Sequence, residues 1–594
     1  MPINKSPVFE EISQSDSGTK WLDLLAKTQR GSNSQDLFER LGTLTLDDIR
    51  LDPIYPLTSI NAQDGTSPFR TEKAWKTLTR IDIPDPQSAN KQLLDDLEQG
   101  ADGAVIVLKG AASAFGFGVT DNGTGFFDAL LNNVFVEATN LRFEGFRIEH
   151  LEAWSTFCKS RNYASNSLST SLGINEIAVT TSKCVVAPPS RFAAAYLTAD
   201  GADWHNRGAS AVQELGFTLS QLVEALRSLL DTGLDGPDAA TLLDAKLGCD
   251  ADQFETLSKF RAMRQLWGHM LEASGIAHVP LSLHAETSWR MMSRRDPWTN
   301  ILRSTVASFS AGLGGADSIA ILPHTQALGL PDAFARRVVR NTSLVLQEES
   351  YLNHVIDPAA GAGLYDSFSA SLADEAWQIF QQVELMGGWN NALLNGLPIE
   401  LTNVSQEKRL HEIKTRKKVT LGNSHFPKLD EKAVEVLIEL PLEKSGSLIQ
   451  ATLTRDSLPF EQLASRAAVL GADTSPKVAL ICIGNANGYK PRESFASDYF
   501  AAAGLTSITH ALPIGGNVLD LDTQSTPIVC LCGSDEDYSI SAVEVLSELQ
   551  SSGAKFRLVA GRGDFSGADA HIFLGNNAHE TLESIIALLE GSNQ

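Results

Sequence analysis

Cysteine is scarce in this chain, with 6 in 594 residues: Cys158, Cys184, Cys249, Cys482, Cys530 and Cys532. None forms a CxxC pair or a finger spacing, which argues against a disulfide scaffold and leaves no zinc signature. Cys530 and Cys532 stand two apart in an apolar run and share one strand face, as core packing requires. Basic residues are also in deficit: 48 Lys and Arg against 72 Asp and Glu give a net charge of −24. That argues against binding along a nucleic-acid backbone, which needs clustered cations. No window approaches about eighteen uninterrupted apolar residues, so no membrane span is expected. The opening MPINKSPVFEEISQSDSG lacks the apolar centre of a secretory signal. The expectation is a soluble, cytoplasmic protein. Complete GxxxxGK[ST], GxGxxG, HExxH and GxSxG patterns are missing too, so no phosphate loop, zinc helix or nucleophile elbow declares itself.

The composition is that of a chain able to bury sizeable cores, 43% hydrophobic and 20% charged, and its length allows three to five domains or one large barrel with a smaller companion. Residues 1–40 are polar apart from Phe9, Trp21, Leu22, Leu24 and Leu25, and read as an arm for contact with a partner. Short apolar runs then alternate with helical periodicity. GAVIVLKG at 103–110 and EIAVTTS at 176–182 have the look of buried parallel strands. Helices follow over 210–231 and 253–272, from Asp296-Pro297, from Pro331-Asp332, and from a cap at Asp366 to Gly387-Gly388. Repeated β-then-α over this length predicts an α/β fold, a (β/α)8 TIM barrel over 41–400. The basic EKRLHEIKTRKKV stretch marks a connector over 401–475. Strands at 478–484, 527–533, 556–560 and 571–575, with helices at 493–503, 540–551 and 579–590, predict a flavodoxin-like doubly wound domain over 476–594.

Few side chains stand out as chemistry. His205, in Asp203-Trp-His-Asn-Arg207, follows apolar residues that could end a barrel strand, where a neutral imidazole can polarise a carbonyl; a structural loop histidine is the alternative. Arg261 and Arg264 share a helix face, and Arg290, Arg294, Arg295 and Arg303 form a basic cluster, a candidate anion site or a set of salt-bridged surface arginines. The glycines of Gly484-Asn-Ala-Asn-Gly488, of Gly312, Gly314 and Gly315, and of Gly561-Arg-Gly563 read as turns.

An ordered set of segments resembles the methylmalonyl-CoA mutase family: Arg80-Ile-Asp-Ile-Pro-Asp-Pro86, Gln99-Gly-Ala-Asp-Gly103, Lys259-Phe-Arg-Ala-Met-Arg264 with Leu266-Trp267, Asp296-Pro-Trp-Thr-Asn300 with Arg303, Arg340-Asn-Thr342 with Glu349-Ser350, Val355-Ile-Asp-Pro358 with Gly361, and Ala376-Trp377. The resemblance runs through about residues 75–400 and more weakly through 475–594. It implies a barrel threaded by a CoA ester, a connector and a cobalamin-type domain, isomerising succinyl-CoA and methylmalonyl-CoA by adenosylcobalamin-dependent radical chemistry.

The departures set the further expectation. Cobalamin-binding chains of the family carry D-x-H-x-x-G after the first strand of the small domain. Here Gly484-Asn-Ala-Asn-Gly-Tyr-Lys-Pro-Arg492 offers neither aspartate nor histidine. The family's Y-H-x-x-x-G-A appears as Trp204-His-Asn-Arg-Gly-Ala209, one residue shorter, and its R-T-H-x-Q-T-S-G as Ser282-Leu-His-Ala-Glu-Thr-Ser-Trp289. Serine for arginine and glutamate for glutamine disfavour an acidic acyl-CoA, and tryptophan for glycine fills ligand space. A counterpart of T-x-Q-N-D is missing from 178–190. The resemblance therefore implies the small, non-catalytic subunit of the heterodimeric enzyme. It would have no catalytic, cofactor-binding or metal-ligating residue, and would stabilise a large catalytic (alpha) subunit that holds the adenosylcobalamin. The alternatives are an active acyl-CoA isomerase of divergent specificity, using His205 with Arg261 or Arg264, and an acyl-CoA-sensing scaffold.

Overall fold

The computed structural model describes residues 7–28, 33–57, 70, 72–164, 167–175, 193–440, 453–470, 476–512 and 526–592. The strand expected at 176–182, the comparison over 178–190 and Cys184 lie outside the described residues.

Eight parallel strands close a barrel in sequence order: β1 (Lys76–Ile81), β2 (Gly103–Val107), β3 (Asn140–Glu144), β4 (Thr170–Ile174), β5 (Ala195–Asp200), β6 (Leu243–Cys249), β7 (Ser282–Thr287) and β8 (Ser318–Ala320). Closure is direct, since β8 pairs with β7 at Ser318↔His284 and with β1 at Ser318↔Lys76. Strands covered on both faces need near-continuous burial, and all of β6 is buried.

The connecting helices start where their caps dictate. The first, α1 (Pro86–Glu98), opens on Asp85, whose side chain accepts from the Ser88 N–H, with proline at the first helical position. A short α2 (Gly201–Arg207) follows β5 directly, and α3 (Ala211–Leu230) opens on a Ser210/Gln213 capping box. Next come α4 (Gln253–Ala273), α5 (Thr299–Gly314), α6 (Ala333–Leu344) and α7 (Gly363–Leu385).

Two helix starts differ from the sequence expectation. Asp296 takes a left-handed φ of 45°, which no first helical turn tolerates, so α5 begins only at Thr299. Asp366 does not cap α7, which starts at Gly363; its carboxylate is drawn instead to Arg261 at 2.9 Å.

The basic EKRLHEIKTRKKV stretch is largely helical. Most of it lies on α8 (Leu397–Lys414), with Ile413 packed into the core of the second unit. That unit is a five-stranded parallel sheet of β9 (Lys477–Ile483), β10 (Thr506–Leu512), β11 (Ile528–Cys532), β12 (Phe556–Ala560) and β13 (Ala570–Ile572), ordered β10-β9-β11-β12-β13. This is the doubly wound order with a switch point beside β9. Edge strand β10 escaped the sequence reading because four of its residues are half-buried and three exposed, so it carries no apolar run. Helix α9 (Ala486–Ala501) starts seven residues before the expected 493 because Asn485 caps it, its side chain accepting from the Gly488 N–H, despite Pro491 inside. The last helices are α10 (Asp535–Ser551) and α11 (Ala578–Ser592).

The N-terminal segment packs its aromatics on itself: the Trp21 and Phe9 rings lie 6.2 and 5.3 Å from Phe38. No helix among the described residues is long and apolar enough to cross a membrane.

Candidate active site and its occupation by side chains

Barrel enzymes work at the C-terminal ends of their strands, and His205 lies there, buried on α2 just beyond β5. Gly248 at the end of β6 leaves room for it, since a Cβ there would stand 2.8 Å from the imidazole. The ring is fully engaged. Nδ1 is 3.2 Å from Glu214 and Nε2 is 2.8 Å from the Ser288 hydroxyl. Glu214 also accepts from Lys259 at 2.6 Å and from the Gly248 N–H at 2.7 Å. With a proton on Nδ1 directed at Glu214, Nε2 accepts from Ser288. Burial first, then the charges of Arg290 and Lys259, holds the imidazole well below its usual range, so it is neutral at pH 7. Arg290 donates to the carbonyls of His205 (2.8 Å) and Ala209 (3.0 Å) and pairs with Asp250 at 3.4 Å. Burial resists ionisation of Asp250, but Arg290, Lys418 and Lys259 outweigh it and bring its pKa down to about 2.

The other arginines do not assemble into a basic cluster. Arg261 pairs with Asp357 and Asp366, and Arg264 with Asp317. Arg294 donates to the carbonyls of Ala327 and Leu440, Arg295 to those of Ala501 and Ala502, and Arg303 to Asn300 and the Leu421 carbonyl. They brace connections between segments and do not converge on a ligand.

Trp289 stands at the same C-terminal mouth, where a cavity of about 160 Å³ lined by Ala111, Glu144, Phe146, Asn175 and Asp200 also remains. The tryptophan ring stacks on Phe115 at 4.5 Å with planes 4° apart; Arg80 lies over the far face of this pair at 5.2 Å from Phe115, and Arg455 at 5.8 Å from Trp289. Each ring of the stack thus has an arginine within cation–π range at the mouth of the barrel.

Beneath this stack, ion pairs span the middle of the lumen. Arg142 pairs with Asp244 at 2.8 Å and Lys246 with Glu144 at 2.7 Å; β3 and β6 are not neighbours, so both pairs cross the interior. Lys246 also holds Asp200 at 2.9 Å, and Arg80 reaches Asp82 at 2.9 Å and Glu286 at 3.4 Å. Burial opposes the charge on Glu144, yet Lys246 and Arg142 bring its pKa down to about 2. On the β8-β1-β2 side, Leu78, Val105, Val107 and Ala320 line the lumen with apolar groups. The sequence reading missed these ion pairs, although Arg142/Glu144 and Asp244/Lys246, charged at alternate positions of otherwise apolar strands, were their signal. A cavity of about 390 Å³ remains at the opposite, N-terminal end, lined by Lys76, Thr170, Asp244, His284 and Ser318 among others.

In the second unit, the strand ends that would cradle a cofactor are closed. Arg492 lies 4.9 Å over the Tyr538 ring and donates to the Gly533 carbonyl at 2.6 Å. The Tyr538 hydroxyl accepts from the Gly533 N–H at 3.0 Å and donates to the Ala560 carbonyl at 2.8 Å. A Cβ on Gly561 would meet the Arg492 guanidinium at 3.1 Å. The turn from Gly484 to Arg492 carries no imidazole. These residues do not fit a histidine-ligated cobalamin.

Comparison with known proteins agrees with this architecture. The family model described as Methylmalonyl-CoA mutase matches residues 191–447. The chain is 38% identical over 395 residues to the methylmalonyl-CoA mutase small subunit of Streptomyces virginiae, covering 66% of this chain and 64% of that protein. To the small subunit of Propionibacterium freudenreichii subsp. shermanii it is 29% identical over 599 residues, covering 93% and 91%. To the probable small subunit of Mycobacterium tuberculosis (strain ATCC 25618 / H37Rv) it is 35% identical over 387 residues, covering 63% and 61%. The matched stretch thus spans less than two thirds of the Streptomyces and Mycobacterium proteins, and nearly all of the Propionibacterium one.

Proposed function

We propose that the chain belongs to the methylmalonyl-CoA mutase family and is the small, non-catalytic subunit of a heterodimeric mutase, a reading supported by the matched family model and the similar small subunits. In this reading the enzyme interconverts succinyl-CoA and methylmalonyl-CoA in the cytoplasm. The radical chemistry and the adenosylcobalamin belong to a large catalytic partner, which this chain stabilises by binding its folded form. One observation carries the reading: the Phe115–Trp289 stack, 4.5 Å between rings and flanked by Arg80 and Arg455, stands at the barrel mouth where chemistry would occur. His205 supports it, because both ring nitrogens are spent on protein groups.

The test is to express the two chains separately and together. The expected result is that this chain alone leaves the absorbance spectrum of adenosylcobalamin unchanged and turns over no methylmalonyl-CoA, and that it raises the soluble yield and thermal midpoint of the large chain. Turnover or a cobalamin spectral shift with this chain alone overturns the proposal.

The N-terminal cavity of about 390 Å³ favours a second reading, in which the barrel holds an acyl-CoA without turning it over. Calorimetry with CoA esters separates the two: a saturable heat with the isolated chain supports the scaffold.

A further inference from the structure

Helices on the outside of a barrel normally turn a polar face to water. Helix α1 does so with Lys91, Asp95 and Glu98, and α7 with Asp374, Glu375 and Gln378, all exposed. Neighbouring α5 and α6 break the pattern. Neither contains a single Lys, Asp or Glu, in a chain whose net charge is −24. Trp298, just ahead of α5, with Leu302 and Val306 on it, follows a four-residue step that puts all three on one face. They are 46%, 62% and 37% exposed, and Phe334 on α6 is 44% exposed. The Trp298 and Phe334 rings meet edge to face at 6.3 Å, so the two helices present one continuous ridge. Exposed Arg337 lies over the Phe334 ring at 5.4 Å.

Aromatic and arginine enrichment with depletion of Lys, Asp and Glu is the composition that distinguishes the centre of a protein–protein interface from ordinary surface. Water gains nothing from such a ridge, and a contiguous exposed apolar patch is a docking signal. We propose that the α5–α6 ridge is the surface on which the large subunit docks, with Trp298, Leu302 and Phe334 as the buried anchors and Arg337 meeting a carboxylate of the partner. Charge selects the occupant: in so acidic a chain the two helices carry no Lys, Asp or Glu and expose the Arg337 cation, and a second copy would set Arg337 against its like. The inference rests on the subunit reading above and gives that pairing a location.

The test is capture of the large subunit by the tagged full-length chain in co-expression, with wild type, Leu302→Glu, Arg337→Glu and, as a control on the outward face of α7, Asp374→Lys. All three positions are exposed, so the variants should melt with the wild type. Leu302→Glu should lower capture at least about tenfold, the scale of one well-buried anchor. Arg337→Glu should weaken capture and its salt dependence, and Asp374→Lys should leave capture unchanged. Undiminished capture by a folded Leu302→Glu together with Arg337→Glu overturns the location and leaves the pairing intact. If wild type itself captures no large subunit, the subunit reading fails and the docking surface with it. Should Leu302→Glu melt early, Arg337→Glu alone decides.

Discussion

Phe115 and Trp289 stack almost in parallel at the C-terminal mouth of the barrel, 4.5 Å between ring centroids, joining the loops after two non-neighbouring strands. Tryptophan puts the largest side chain at this position, and its stack on Phe115 braces the two loops. Replacing the ring leaves a cavity, removes the π face beneath Arg455 and takes away the stacking partner of Phe115. Trp289→Gly is therefore expected to lose roughly 3–5 kcal/mol in urea denaturation, and to gain no turnover when assayed alone, because the ion pairs below still span the lumen. A loss under about 1 kcal/mol would show that the site collapses easily and that the stack is not structural.

The lumen pairs should be sensitive to removal of one partner. Lys246 balances Glu144 at 2.7 Å and Asp200 at 2.9 Å with almost no exposure. Lys246→Met leaves Asp200 buried without its cation and Glu144 with Arg142 alone, a loss of about 3–5 kcal/mol, read from the urea midpoint. An unchanged midpoint would mean that water enters the lumen and screens the pair.

His205 supplies a pH signature. Its unfolded imidazole titrates near the ordinary 6.5, and the folded one well below it. Folding thus excludes the proton: the stability from the neutral ring is complete above pH 6.5 and is lost as pH falls through the window below it. Wild type should lose thermal midpoint on acidification from about pH 7 to 5, and His205→Gln should lose less. Buried His284, also shifted down, keeps the variant's slope from vanishing. Identical slopes for the two proteins would place the titration elsewhere.

Much of this fold is legible in the sequence because its signals are local. Caps at Asp85, Ser210 and Asp332 mark helix starts, and buried runs such as GAVIV mark strands. The misses arise where tertiary context outweighs a local cue. Asn485 starts α9 across a glycine and a proline that read as breakers, and the half-exposed β10 earns its place by pairing with β9 along seven residue pairs. Trp289 was legible as a space-filler, but its partners Phe115 and Arg455 are distant in sequence and carry no local mark. The same holds for the arginines: Arg294, Arg295 and Arg303 look like a ligand site until their carbonyl partners on other segments are seen.

The second unit offers the sharpest test of how the cofactor site is closed. Two features oppose cobalamin there: no imidazole in the turn after β9, and the Arg492–Tyr538 pair across the strand ends, 4.9 Å apart. Asn485→Asp with Asn487→His restores an Asp-x-His spacing, and aspartate at 485 can still cap α9. If the missing ligand were the whole obstacle, this double variant would shift the cobalamin spectrum. The filled crevice predicts no shift, because Tyr538 is tied to Gly533 and Ala560 and Arg492 to the Gly533 carbonyl. Adding Arg492→Ala and Tyr538→Ala opens the crevice, and a shift should appear only in that four-site variant, provided it retains a cooperative melt. A shift in the double variant alone would mean that the plug yields to a ligand and that the imidazole is what the chain lacks.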